Sequence, residues 1–329
     1  FFLHADDGIR DCLLSRGLGD VYKRQPLFSW PPKIGQSFNW MVRRWVSVSR
    51  FVLFIALGFI IQHYLTPSYE VMKGFSLDWA LSVFLRNTAL LFLIAGSLHL
   101  YLHSYKVQGD KFKFLKREMD TNNKIFKFNN QVYDNIFWSV VSGVTVWTIY
   151  EVLYLTLVAR GVVATAPLAD YPFHFFAWIL CFPLIRGVHF YFIHRLLHHP
   201  FLYKHVHITH HRNVNTGPWS GISMHPIENV IYQSSPLIHF LVPSDPIIFT
   251  IHMIMVTLNP AFTHSGFEKI VKKDTKILDS ADFHHQLHHR YFDCNYGNMD
   301  VPLDVWFGTD HDGSEAATLR LRDRKRKRS

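Results

Sequence analysis

Four long apolar runs restrict what this 329-residue chain can fold into more than any other feature of its sequence. They span approximately residues 46–65, 77–102, 136–158 and 173–193. A helix needs about 20 apolar residues to cross the hydrocarbon core of a bilayer, and a soluble core cannot easily house four such helices in succession. The sequence therefore predicts an all-α, polytopic membrane bundle with four spans.

Basic residues in the loops indicate how this bundle is oriented. Three lie just before the first run and seven follow the second: Lys33, Arg43, Arg44, Lys106, Lys111, Lys113, Lys116, Arg117, Lys124 and Lys127. The other two loops contain one each, Lys73 and Arg160. Because Lys and Arg concentrate on the cytosolic side of a membrane, we expect the N-terminus, the loop between the second and third runs and the exit of the fourth run to be cytosolic.

Charged residues also interrupt or border the runs, at Arg50, Arg86, Glu151 and Arg186. A charge at bilayer depth is costly, so these side chains are expected to face the bundle interior or a cavity, or to reach the interface. Glu151 and Arg186 lie on consecutive runs, and an ion pair between them is a further hypothesis.

Histidine is concentrated in short stretches that follow the fourth run. Residues 194–211 read HRLLHHPFLYKHVHITHH and hold seven histidines, and residues 284–289 read HHQLHH. Positions i, i+3 and i+4 of a helix share one face, which predicts one convergent pair and two convergent triplets. These are His194 and His198, then His207, His210 and His211, then His285, His288 and His289. Eight imidazoles exceed the four ligands of one tetrahedral zinc ion, so the count predicts two metals held together.

The motifs HRLLH, HITHH and HQLHH resemble the HxxxH, HxxHH and HxxHH boxes of the membrane fatty acid hydroxylase/sterol desaturase superfamily. The segments SGISMHPIENVIY, TLNPAFTHSGFE, HHRYFDCNYG and PLDVWFGT resemble its sterol-desaturase-type branch, and the likeness covers roughly residues 173–312. It implies that the eight box histidines bind metal and that His264, in THSGF, is a further ligand. Relatives with more ligands have another histidine near this point, where this chain has Glu268.

The region between the second and third boxes contains two more apolar runs, residues 227–242 and 247–262, separated by Pro243, Ser244, Asp245 and Pro246. If both boxes belong to one metal site, the chain between them crosses the membrane twice or not at all. A helical hairpin that turns at residues 243–246, either spanning or re-entrant, satisfies this condition. The predicted fold is therefore four spans plus a helical hairpin, with a cytosolic histidine-rich cap.

Other polar residues lie within or near the boxes and the hairpin. His239 and His252 lie within apolar runs and are interpreted as interior residues. His225 is either a tenth ligand or a cap on the loop before it, and metal binding by His199, His284 or Glu268 stays open. Ligating histidines usually donate their second N–H to an acceptor. The nearby carboxylates that could accept are Asp282, Glu228, Glu268 and Asp293.

The chain divides into four parts on these grounds. Residues 1–25 resemble translated adapter sequence and are expected to be a non-native leader. Residues 26–172 form an N-terminal transmembrane region, residues 173–312 a catalytic domain, and residues 313–329 a basic cytosolic tail. The tail carries Arg320, Arg322, Arg324, Lys325, Arg326, Lys327 and Arg328. It is interpreted either as a segment attracted to anionic lipid or as a dilysine signal for retrieval to the endoplasmic reticulum.

The resemblance implies O2-dependent desaturation or hydroxylation of a membrane lipid at a histidine-bound centre of two iron ions, with zinc as a substitute in purified protein. A sterol or sterol-like substrate is favoured, and hydroxylation of a fatty acyl, sphingolipid or ether lipid is the alternative. The chain shows no haem, flavin or cytochrome-b5-like motif. Electrons are therefore expected from a separate donor such as cytochrome b5, at the endoplasmic reticulum membrane if the source is eukaryotic.

A different class of protein with many histidines is a non-catalytic membrane metal-binding protein or a zinc transporter. A transporter places its ligands near the bilayer midplane, on the spans themselves. Here the boxes follow the spans, which favours the enzyme. No nucleic-acid recognition module is present in the sequence.

Overall fold

The computed structural model describes residues 31, 33–41, 50–280, 283–298 and 300–327. The expected leader and the beginning of the first predicted span lie outside these residues. The described part is mainly helical, which confirms the predicted all-α polytopic class. The exception is a two-stranded antiparallel hairpin of β1 (Lys269–Lys272) and β2 (Thr275–Asp279), which the sequence analysis did not predict.

Four of the described helices are long and apolar enough to cross a membrane: α4 (Leu77–Ser104), α5 (Gln131–Ala159), α6 (Pro172–Leu197) and α9 (Pro246–Thr263). The first three coincide with predicted spans, and α9 is the second arm of the predicted hairpin. The other helices are α1 (Ile34–Met41), α2 (Arg50–Tyr64), α3 (Tyr69–Met72), α7 (residues 200–211), α8 (Pro226–Tyr232), α10 (Phe283–Tyr291), α11 (Leu303–Trp306) and α12 (Glu315–Arg326). The described part of the first predicted span is α2.

Helix α9 forms the centre of the bundle, because 89% of its most apolar window is buried inside the protein. Helix α2 packs directly along it, with the rings of Phe54 and Phe262 6.0 Å apart in an edge-to-face contact. Gly58 permits this approach, since a Cβ atom there would overlap the side chain of Ile251. Helix α9 is therefore long enough to span a membrane but is largely shielded from lipid by its neighbours.

The hairpin between the boxes exists, but its first arm is not one helix as predicted. It consists of α8 and a 3₁₀ helix, Ser235–Phe240. Pro236 explains the break, since it lacks an N–H and restricts the residue before it. The arms still run side by side, because the Tyr232 hydroxyl donates to the Val256 carbonyl at 3.0 Å and the rings of His239 and His252 are hydrogen-bonded at 3.0 Å.

The loops collect at two opposite ends of the bundle. At one end, the amide of Phe114 donates to the carbonyl of Gly266 at 2.9 Å, and Arg212 pairs with Asp134 at 2.6 Å. At the other end, the amide of Ala166 donates to the carbonyl of Ser244 at 3.1 Å. The hairpin turn thus lies far from the boxes, while the basic loop between α4 and α5 packs beside them. Which end faces the cytosol stays a prediction.

The hypothesised ion pair between Glu151 and Arg186 is wrong. Glu151 pairs with Arg86 of α4, with 2.5 Å between the Nη2 and Oε1 atoms, and Arg186 pairs with Asp300 at 3.0 Å. Both pairs are largely buried, as expected for charges within a span. Arg186 faces a segment that follows the third box instead of facing α5, and no sequence pattern indicated that contact.

Candidate metal centre

Nine imidazoles converge at the end of the bundle where the boxes lie, and they form two groups. Group one contains His194, His198, His207, His211 and His288. Group two contains His210, His264, His285 and His289. Within each group, one nitrogen from every residue lies within 4.8 Å of the others. The structure therefore brings together all nine residues that the sequence analysis singled out.

The predicted triplets do not converge as triplets. In the second box, His207 and His211 belong to group one, whereas His210 belongs to group two. In the third box, His285 and His289 belong to group two, whereas His288 belongs to group one. Successive helical residues are rotated by about 100°, so the two adjacent histidines of each box diverge. Each HxxHH box consequently contributes to both groups, and the prediction of one face per box is wrong.

The spacing of the Nε2 atoms fits metal coordination. In group one, His198 lies 3.1 Å from His211 and 3.2 Å from His288. In group two, His264 lies 2.9 Å from His285 and 3.2 Å from His289. Two nitrogens bound at about 2.1 Å to one ion are separated by roughly 3.0–3.4 Å, depending on the coordination geometry. Both groups therefore have the dimensions of a metal site.

Hydrogen bonds on the far side of the rings point to the same conclusion. The Nδ1 atoms of His194 and His288 donate to the carbonyls of Tyr296 at 2.7 Å and Cys294 at 2.6 Å. An imidazole that donates from Nδ1 presents a lone pair at Nε2 when it is neutral. Several lone pairs that meet at about 3 Å repel one another unless a cation lies between them, so this donor set suits a metal ion.

Burial favours the neutral form of the imidazoles that lie outside the membrane spans. It lowers the pKa of His264 to about 4. It also lowers the pKa values of the other imidazoles that lie outside the membrane spans, to well below the usual range for histidine. Those residues are His198, His207, His210, His211, His285, His288 and His289. Neutral imidazole is the form that binds metal, so protons do not compete for these nitrogens near neutral pH.

Glu228 is the carboxylate that contacts a box histidine directly. Its Oε1 atom accepts a hydrogen bond from Nδ1 of His207 at 2.7 Å, and the side chain is fully buried. Burial raises the pKa of Glu228 well above its usual value. A cation held by His207 would offset that effect and favour the carboxylate form. Of the other carboxylates considered from sequence, Asp293 pairs with Lys325 at 3.0 Å, and Asp282 lies outside the described residues.

The remaining histidines that the sequence left open stand outside both groups. His225 caps α8, because its Nδ1 accepts from the amide of Ile227 at 3.3 Å. His239 and His252 are buried between the hairpin arms, as expected for interior residues. His199 is exposed at the start of α7, and neither His284 nor Glu268 belongs to a group.

A network of buried amides holds the second box in place. Asn213, two residues beyond that box, accepts hydrogen bonds from Gln131 at 3.1 Å and Asn135 at 2.9 Å. Its own Nδ2 donates to the carbonyl of His210 at 3.2 Å. The box is thereby fixed to the first turn of α5, and only the tertiary structure reveals this support.

Sequence reasoning also missed Asp304. Its buried carboxylate accepts hydrogen bonds from the amides of Tyr296 and Gly297, both at 2.8 Å, and from the hydroxyl of Thr309 at 2.7 Å. It thus fixes the Tyr296 carbonyl that accepts from His194. The signal that could have found Asp304 is an acidic residue within the apolar segment PLDVW.

Comparisons with known proteins show which family and which relatives the chain is similar to. Residues 178–309 match the family described as "Fatty acid hydroxylase". A Dictyostelium discoideum protein provisionally named a methylsterol monooxygenase is 32% identical over 218 residues, which cover 64% of this chain and 73% of the relative. A Delta(7)-sterol 5(6)-desaturase of Gibberella zeae is 34% identical over 121 residues, 36% of this chain and 37% of the relative.

A third relative, fatty acid hydroxylase domain-containing protein 2 of Homo sapiens, is 35% identical over 148 residues, 42% of this chain and 40% of the relative. The chain thus covers less than half of the Gibberella and human relatives. No solved structure matches the chain.

The bundle and its paired imidazole groups define a polytopic membrane protein with a histidine-rich centre at one end. The chain belongs to the fatty acid hydroxylase/sterol desaturase superfamily, in its sterol-desaturase-type branch.

Proposed function

We propose that this protein is an oxidoreductase that uses O2 to desaturate or hydroxylate a membrane lipid at a centre of two iron ions. The observation that carries the proposal is the pair of convergent imidazole groups. His194, His198, His207, His211 and His288 would hold one ion, and His210, His264, His285 and His289 the other. Imidazole suits iron as well as zinc, and zinc could replace iron in purified protein.

The roles of the chain's own residues follow from their contacts. Glu228 and the carbonyls of Tyr296 and Cys294 orient the imidazoles of His207, His194 and His288. Eight of the nine imidazoles are buried, which limits the access of water to the centre. The bound metals would supply the oxidising chemistry, and the protein contributes a fixed geometry and a dry environment.

The substrate that we favour is a sterol or a sterol-like lipid. Two of the relatives bear names that refer to sterol oxidation, and one of them aligns with most of its length. A membrane lipid also matches a metal centre at the end of an apolar bundle. Hydroxylation of a fatty acyl, sphingolipid or ether lipid is the alternative, supported by the relative named for fatty acid hydroxylation.

The partners and location follow from the same proposal. The reduction of O2 requires electrons, so a separate donor such as cytochrome b5 would dock at the end that carries the boxes. We propose that this end faces the cytosol, at the endoplasmic reticulum membrane in a eukaryotic source, because the basic loop between α4 and α5 lies beside it. The position of both groups at one end favours the enzyme over a transporter, whose ligands lie near mid-membrane.

Lipid profiling tests the proposal. A strain that lacks the gene should accumulate an unoxidised lipid, and the intact gene should restore the oxidised product while the His288→Ala variant should not. Metal analysis of the purified protein should find close to two ions per chain. One tightly held zinc ion per chain, together with full activity of His288→Ala, would contradict the two-metal assignment and favour a metal-binding protein.

A further inference from the structure

A stripe of exposed apolar side chains runs along α6. It consists of Phe173, Phe176, Leu180, Val188, Phe192 and Leu196. Steps of three or four residues join neighbours on a helix surface, so the stripe winds slowly around α6, and at 1.5 Å per residue it is about 35 Å long. This length matches the hydrocarbon core of a bilayer, so the lipid-facing surface extends to the level of the first box.

The stripe continues onto the segment after the third box. Phe307 stacks on Tyr191, with ring centroids 5.4 Å apart, and makes an edge-to-face contact with Phe192 at 5.9 Å. Phe307 is nevertheless 49% exposed, and the preceding Trp306 is 57% exposed. The guanidinium of Arg195 lies 5.6 Å from the Phe307 ring. The Phe307 ring therefore extends the apolar surface of α6 on the outside of the histidine-rich end, and the exposed Trp306 directly precedes it in the chain.

The segment that carries Trp306 and Phe307 is held in place by burial and hydrogen bonds. Residues Leu303 and Asp304 of α11 are buried, and the Asp304 carboxylate binds the amides of Tyr296 and Gly297. The exposure of Trp306 and Phe307 thus belongs to a fixed surface, and fixed apolar patches of this kind usually mark an interaction site.

A basic helix lies directly behind the pair. Arg324 of α12 donates hydrogen bonds to the carbonyl of Gly308, the residue after Phe307, and to that of Asp293. The same helix and the residue after it expose Arg320, Arg322, Lys325, Arg326 and Lys327. Exposed tryptophan beside basic residues is typical of the boundary between hydrocarbon and headgroups, where cations meet anionic lipid.

We propose that Trp306, Phe307 and α12 form a membrane-interface anchor, whose partner is the bilayer itself. The two rings enter the outer hydrocarbon layer beside α6, and the basic residues of α12 contact anionic headgroups. Continuity with the lipid-facing stripe favours lipid over a second protein as the occupant. Because Asp304 links α11 to the Tyr296 carbonyl, which accepts from His194, the anchor also fixes the third-box segment relative to the membrane. This proposal does not depend on the oxidation chemistry.

Spin-label depth measurements on the full chain in vesicles test the anchor. A nitroxide would be placed at Trp306→Cys, with Leu180→Cys, an exposed position in the middle of α6, as the lipid reference and Lys124→Cys as the water reference, in a background with Cys12→Ser and Cys181→Ser. We expect the label at 306 to collide with O2 several-fold more, and with a water-soluble nickel chelate several-fold less, than the label at 124. Equal values at 306 and 124 would overturn the proposal. So would spin–spin broadening at 306 that disappears on dilution with unlabelled protein, since it indicates contact between two copies.

Hydrogen exchange tests the link to the third-box segment. Trp306→Glu should accelerate exchange of the amides in residues 296–304 several-fold, because a carboxylate is expelled from the hydrocarbon layer, whereas Trp306→Phe should leave it unchanged. Ile277→Glu, a similarly exposed apolar position on β2 outside the anchor, is the matched surface control. Unchanged exchange in Trp306→Glu would overturn the link.

Vesicles with and without phosphatidylserine test the role of the basic helix α12. A label at Arg322→Cys should lie deeper in vesicles that contain the anionic lipid, and equal depth in both would overturn the role of α12.

Discussion

The two imidazole groups use the same box pattern in opposite ways. The second box gives group one an i, i+4 pair and group two a single histidine, and the third box does the reverse. The two groups differ in their number of imidazoles because of histidines outside these two boxes. Group one gains His194 and His198 from α6 and the residue after it, whereas group two gains only His264, directly after α9. Group one therefore has five nitrogens and group two has four.

This difference shows which parts of the fold each group depends on. Group one is fixed to a membrane span through His194, and its supports include Glu228 and two backbone carbonyls. Group two depends on the hairpin, because His264 reaches the centre only when α9 is in place. The Nδ1 atom of His264 donates a hydrogen bond to the carbonyl of Pro260, in the last turn of α9, at 3.0 Å. A lost ligand leaves four nitrogens in group one but three in group two.

The largest expected effect is on activity, and it should be the same for both groups. His288→Ala in group one and His285→Ala in group two should each abolish lipid oxidation, because the proposed chemistry needs both metals. His239→Ala, a buried histidine outside the groups, should keep most of the activity. Product formation in membranes that contain equal amounts of each variant is the measurement. Full activity in either box variant would contradict a shared centre.

Metal retention should distinguish the groups. His285→Ala leaves three imidazoles in group two, so the bound metal should fall from about two ions per chain to about one. His198→Ala leaves four in group one, the number that group two has normally, and should retain more metal. Elemental analysis after a fixed exposure to chelator measures this. Equal losses in the two variants would show that the ligand count does not control retention.

Removal of the hydrogen-bond acceptor behind a ligating histidine should have a smaller effect on metal binding, and this effect should be confined to group one. Glu228→Ala deletes the acceptor for His207 and should weaken one metal by about 10–100-fold, the usual cost of losing such a partner. Glu228→Gln keeps an oxygen that can accept from Nδ1 and should lose less. Chelator competition measures both affinities. A loss from both metals, or an identical loss in the two variants, would argue against a specific support of His207.

Asp304→Asn should affect stability more than metal affinity. The amide NH2 of asparagine would face a backbone N–H that now donates to the carboxylate, so we expect a loss of about 1–3 kcal/mol. Asp274→Asn, an exposed position, should change stability by less than about 0.5 kcal/mol. Thermal unfolding in detergent compares the two. A neutral result for Asp304→Asn would mean that its three hydrogen bonds do not hold the segment after the third box.

The last prediction concerns sidedness and leaves activity unchanged. Cysteine labels at Lys111, whose side chain is 61% exposed, and at Ser314 should react from the same side of the membrane, and a label at Pro67 from the opposite side. The reason is that the loop of Lys111 packs beside Gly266 at the end that carries both groups. Labelling of Lys111 and Ser314 from opposite sides would exclude a hairpin between the boxes and, with it, a shared centre.

The sequence by itself determined the class of fold and the identity of the nine histidines. Apolar runs of about 20 residues predict spans because hydrocarbon length sets helix length, and three of them reappear as α4, α5 and α6. The box spacing and the resemblance to a known family singled out residues that the structure brings together. The sequence alone could not show that His210 and His211 belong to different groups, because the grouping depends on the positions of the other ligand-bearing helices around α7.

Only the tertiary structure decided the contacts made across the chain. The partners of Arg86 and Arg186, the break at Pro236 and the acceptors of His194 and His288 all depend on packing between distant segments. Backbone carbonyls such as that of Tyr296 leave no mark in a sequence, since every residue has one. Local periodicity determines the direction in which a side chain points from its own helix. The residue that it contacts is determined by the packing of elements that lie tens of residues away in the chain.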